Sequence, residues 1–184
     1  MKSIFNRITT TLVALAVAIA FSVPAFAGDG VFNVAKGAGN EYFDRVANND
    51  PANSGIVIIL LKAAEADAVL EDYDDVGALL AAGGNTEADF TNYTRIVYTD
   101  SDITGSTVDD TNNRKYSDMP DPSYTSAGGT LDNTIVKMLY TYDNDTTGGT
   151  DSDLIPIAHV DFATTTNGNN LTAILPSTGA FVAN

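Results

Sequence analysis

Two apolar runs face each other across an acidic turn in the last third of the chain. Residues 134–142 read Thr-Ile-Val-Lys-Met-Leu-Tyr-Thr-Tyr, and residues 154–162 read Leu-Ile-Pro-Ile-Ala-His-Val-Asp-Phe. Between them, residues 143–153 are Asp, Asn, Thr, Gly and Ser only. β-Branched and aromatic runs bounded by such residues predict two strands joined by a long hairpin-like turn. A third run, Ile-Val-Ile-Ile-Leu-Leu at 56–61, is apolar at every position and predicts a strand buried on both faces.

Helical spacing is rarer. Tyr42, Phe43 and Val46 mark a short amphipathic helix over 40–46, stopped by the turn-forming residues 48–55. Tyr73, Val76 and Leu80 mark a second over 70–80, with Glu71, Asp72, Asp74 and Asp75 at its start and Gly83-Gly84-Asn85 at its end. Residues 90–99 alternate with mixed chemistry on both faces, as an edge strand does. Residues 100–113 read as a polar loop, and 114–119, 124–127, 171–175 and 180–182 as short strands. Residues 31–34 alternate behind a Gly-rich start, which suits an internal strand or one that adds to a neighbour's sheet edge. The pattern predicts a mainly β (α+β) fold, an antiparallel β-sandwich or barrel-like domain with one or two short helices, filling residues 28–184.

The first 27 residues belong to a different class. Lys2 and Arg7 precede an uncharged apolar stretch from Ile8 to Val23, and Pro24-Ala25-Phe26-Ala27 offers a small-x-small cleavage site. That is the pattern of a secretory signal peptide, so the expected location is secreted, periplasmic or at the cell surface. Removing it leaves 7 basic residues (9 minus Lys2 and Arg7) against all 24 acidic ones, a net charge of −17. Such a surface disfavours nucleic acid and anionic lipid, and suits cations or basic partner surfaces. With no cysteine, neither disulfides nor thiolate metal sites contribute.

Candidate chemistry concentrates in the acidic turn. Asp143, Asp145, Thr147 and Asp151 fall at positions one, three, five and nine of a calcium loop, with Gly148 at the sharp-turn position. Position twelve is Leu154 where such a loop needs a bidentate Glu, so the match is partial. Asp143, Asp145, Asp151 and Asp153 are the candidate calcium ligands. His159 is the sole histidine. Strand alternation groups it with Ile155, Ile157 and Asp161, as a semi-exposed structural residue bonded to Asp161 or a cross-strand neighbour. No Ser–His or Cys–His signature and no Trp to stack a sugar is present, so no enzymatic activity is expected.

Several stretches are similar to a family of small tailed-phage virion proteins. They are Phe32-Asn33-Val34-Ala35-Lys36-Gly37, Asn49-Asp50-Pro51-Ala52-Asn53-Ser54, Phe90-Thr91-Asn92-Tyr93, Asp109-Asp110-Thr111-Asn112, Asp143-Asn144-Asp145-Thr146-Thr147 and residues 154–162. The resemblance implies a virion location and a non-enzymatic structural subunit of head-decoration or tail-associated type. Its partners would be further copies of itself or other structural subunits. The signal peptide departs from that family, because virion proteins assemble in the cytoplasm; it points instead to a cellular relative used at the surface, as in a filament or sheath. The alternative is a secreted or periplasmic binding module, calcium-dependent if the acidic turn holds the ion.

Overall fold

The computed structural model describes residues 21–22, 30–177 and 179–183. The predicted signal peptide therefore lies outside the described residues except for Phe21–Ser22. In chain order the elements are β1 (Phe21–Ser22), β2 (Gly30–Val31), α1 (Gly39–Ala47), β3 (Gly55–Ala63), α2 (Asp67–Leu70), α3 (Val76–Ala81), β4 (Thr86–Glu87) and β5 (Ile96–Tyr98). There follow β6 (Thr107–Asp109), β7 (Arg114–Ser117), β8 (Ser123–Tyr124), β9 (Thr134–Asp143), β10 (Ile155–Thr165), β11 (Leu171–Ile174) and β12 (Phe181–Ala183). The fold is mainly antiparallel β of the α+β class, and among the described residues no barrel closes. Among the described residues three short α-helices accompany the sheets, where one or two were expected.

The three strongest apolar runs lie side by side in the central sheet, of order β2-β10-β9-β3-β4, with β5 also pairing with β3. β9 pairs antiparallel with both β10 and β3, so the central strands are covered along both edges. Both faces of β3 are buried because each has its own cover. On one face Ile56, Ile58, Leu60, Met138, Tyr140 and Val160 pack beneath Phe43 of α1, Tyr124, Ala173 and Phe181. On the other, Val57, Ile59, Leu61 and Leu139 pack beneath Phe32, Leu70, Val76, Leu79 and Leu154. Two smaller sheets, β1-β11-β8 and β12-β7-β6, supply part of the first cover.

Several expectations change in detail. The single helix over 70–80 is two helices with a turn between them. Asp75 is the reason: its carboxylate accepts the Ala78 N–H at 2.7 Å and starts α3 afresh, while the crowded acids before it resist helical stacking. Of residues 90–99, only Ile96–Tyr98 is strand; Phe90 and Tyr93 instead turn inward and pack on Tyr124. The polar stretch 100–113 contains a strand, β6, paired with β7. At the start of the chain the extended backbone ends at Phe32, and Asn33–Ala35 is a 3-10 turn, not a continued strand.

β10 carries the most consequential departure. Its register against β9 shifts between Pro156 and Ala158, leaving Ile157 as an extra residue. A one-residue bulge inverts which face each later side chain occupies. Ile155 and Ile157 join the core on the α1 side, while His159, opposite Leu139, faces the other way. The alternation that grouped Ile155, Ile157 and His159 on one face fails for that reason.

Candidate functional site

The four candidate calcium ligands lie at the end of β9 and in the β9–β10 connection, and each carboxylate has its own task. Asp143 ends β9, nearly buried, and accepts the Asp145 N–H at 2.9 Å. Asp145 accepts from the Thr147 N–H at 3.1 Å and its hydroxyl at 2.6 Å, bonds that hold its carboxyl below the usual range. Asp153 closes a capping box with Thr150 around the 3-10 turn Asp151–Asp153. Asp151 takes the guanidinium of Arg95, which stands 8 residues from its second partner Glu87 and 56 from Asp151. Among the described residues no group of three or more acidic or histidine side chains is gathered as a metal ion needs. The charge of this turn is met by a protein cation and by backbone N–H groups.

A second group of ionisable side chains lies on the face beneath α2. Lys137, opposite Asp161 in the β9–β10 register, sits inside an apolar run with only 9% of its side chain exposed. Its Nζ reaches Asp67 Oδ1 at 2.7 Å and Asp161 Oδ1 at 2.5 Å. Burial works against the ammonium, but the two carboxylates outweigh it and raise its pKa, while Lys137 lowers that of Asp67. The lysine thus fastens the start of α2 to the sheet.

Two positions along β10, His159 meets the other end of α2. The imidazole is fully buried, not semi-exposed, with Nε2 3.7 Å from Glu71 Oε1 and the ring edge-on to Phe32 at 5.6 Å. Gly30 of β2 passes directly above. A Cβ there would stand 2.2 Å from His159 Nε2 and 2.3 Å from Glu71 Oε1. Glycine is required at 30 for close approach rather than for backbone conformation. Lys36 completes the group, its Nζ 3.3 Å from Glu71 Oε2.

No known protein family, curated protein or solved structure was found to match the chain.

A third network anchors α1. Asp44 accepts from the Ser106 N–H and hydroxyl, both at 2.6 Å, and from Lys115 Nζ at 2.8 Å. Burial opposes its ionisation, yet the Lys115 and Ser106 bonds prevail and hold the carboxyl below its ordinary value. These networks share one feature: each joins elements far apart in sequence. Arg95 ties the β9–β10 connection to β4, Lys137 ties α2 to β9 and β10, and Asp44 ties α1 to β7. Sequence reading missed all three. Only Lys137 left a signal, a charge inside Ile-Val-Lys-Met-Leu that demanded a buried partner. Among the described residues no helix is long and apolar enough to cross a membrane.

Proposed function

We propose that the chain is an exported, non-enzymatic structural subunit that assembles with copies of itself or decorates a surface, similar in role to phage virion proteins. The observation that carries this reading is the use made of the half-buried charges. Arg95, Lys137 and Asp44 hold distant elements together, a disposition that serves rigidity in a chain without disulfides. The resemblance of residues 32–37, 49–54, 143–147 and 154–162 to virion proteins supports the same role. The apolar leader with its small-x-small site supports export.

Assembly of subunits bearing −17 each has a physical consequence. Like-charged copies repel over distances set by the Debye length, ~10 Å at 0.1 M salt, so association strengthens as salt rises. The test is expression with the full leader in an exporting host, followed by intact mass and sedimentation. Export predicts an N-terminus at Gly28, and assembly predicts a large species that grows with salt. Retention of residues 1–27 removes the export half of the reading. A strictly monomeric species at every salt concentration removes the assembly half and leaves a binding module.

A further inference from the structure

We propose that residues 30–36 form an exchangeable strap, which seats in the His159–Glu71 slot of a second copy and links subunits head to tail. This rests on the assembly reading above and specifies its joint. Apart from the Ala38 N–H to Ala35 O bond at the joint, the bonds described for the strap run to β10 or to the Glu71–Asp72 turn. Gly30 and Val31 pair with His159 and Ala158, and Phe32 N–H donates to Ile157 O at 3.0 Å. Asn33 N–H donates to Glu71 O at 2.9 Å, and its side-chain amide to Asp72 Oδ1 at 2.6 Å. Phe32 is fully buried among Val57, Ile59, Leu70 and Leu139. These partners all precede or follow in other elements, not in α1, to which the strap is joined.

The joint is Gly37, because Gly39 is already the first, buried residue of α1 against Phe181. Gly37 has φ +84° and open space around it, with nothing within 4 Å of where a Cβ would stand. A left-handed glycine in solvent is a position at which the backbone changes direction at little cost. The strap meets the same groups whether they belong to its own chain or to another, so exchange forfeits only the bond that spans the joint, Ala38 N–H to Ala35 O at 2.9 Å. Its balance is set by the joint and by concentration. A short linker supplies a local concentration on the order of millimolar, so exchange takes over where subunits are crowded to that level, as on a growing assembly.

The slot also defines its occupant. It admits only glycine above His159 and Glu71, takes a phenylalanine two residues later, and then an amide able to reach Asp72. A second copy of this chain presents that series. Passing each strap to the next subunit gives a ring if the rotation closes and an open fibre if it does not.

The absence of native cysteine makes the test direct. Val31 and Ala158 are paired across β2 and β10, next to the bonded Phe32–Ile157 position, which suits a cross-strand disulfide. A Val31→Cys chain and an Ala158→Cys chain carrying different tags are mixed, assembled at high concentration and oxidised. Exchange predicts a covalent heterodimer joining the two chains. The double variant V31C/A158C, oxidised as dilute monomer, shows that the geometry closes within one chain. Assemblies in which that double variant remains linked only within chains overturn the strap and leave assembly standing. Absence of any assembly overturns both. As a thiol-independent measurement, Phe32→Ala chains added at one part in ten shorten the assemblies at least twofold, since they accept a strap but hold a neighbour weakly. Unchanged length contradicts the proposal.

Discussion

Replacing Arg95 with methionine retains an apolar stem of similar length and removes the cation that spans two elements. The guanidinium donates to Glu87 at 2.8 and 2.6 Å and to Asp151 at 2.5 and 3.1 Å. Side-chain exposures of 25%, 22% and 42% for Arg95, Glu87 and Asp151 place the cluster between surface and interior. An exposed ion pair contributes at most ~1 kcal/mol, while removing one partner of a buried pair costs roughly 3–5 kcal/mol. With Glu87 still bonded by the Tyr93 hydroxyl at 2.8 Å, the expected loss is about 2 kcal/mol. For a domain of this size that lowers Tm by roughly 4–8 °C. Urea denaturation and thermal melts of R95M, D151N and the double variant provide the assay. Because Asp151 acts through Arg95, the two changes fall short of additive by about 1 kcal/mol. A loss below ~0.5 kcal/mol in R95M, or full additivity, refutes the claim that this pair clamps the β9–β10 connection.

Three further outcomes follow from the same geometry. Calcium and a chelator each leave the melting temperature unchanged within a degree, because Asp151 and Asp153 are committed to Arg95 and Thr150; a rise of several degrees with calcium restores the turn as a cation site. Gly30→Ala forces a methyl into the space of His159 and Glu71 and costs about 1–3 kcal/mol, whereas Gly37→Ala, at an open position, costs at most about 1–2 kcal/mol through its positive φ alone; equal effects measured by urea denaturation contradict the close approach at 30. Stability falls in acid with a definite sign: Asp44, Asp67 and Asp151 titrate below 3.8 when folded, so their contribution is complete above about pH 5 and is lost as pH drops through 3.8 and lower. Asp44→Asn flattens the urea midpoint between pH 5 and pH 3, and an unchanged slope there refutes its role.

The sequence made the long elements readable and hid the contacts between them. Residues 56–61, 134–142 and 154–162 announced β3, β9 and β10 because their apolar content exceeds what any turn or exposed segment carries. α1 was equally legible from Tyr42, Phe43 and Val46. β2, β4, β6 and β8 are only two or three residues long, too short for a period to register, and depend on a neighbour's edge rather than on their own composition. The bulge at Ile157 left no trace, since Pro-Ile-Ala-His fits either phase, and with it went the true face of His159. The acidic turn was legible as a feature, but its partner Arg95 was not. Spacing within a loop shows which carboxylates are near in sequence, but Arg95, which meets Asp151, lies in a segment that alternation placed on an edge strand.

The decisive measurement is electron microscopy of the purified chain across a concentration and salt series. A structural subunit predicts filaments, rings or sheets that become longer or more numerous as salt screens the acidic surface. Dispersed single particles at every concentration and ionic strength contradict that role.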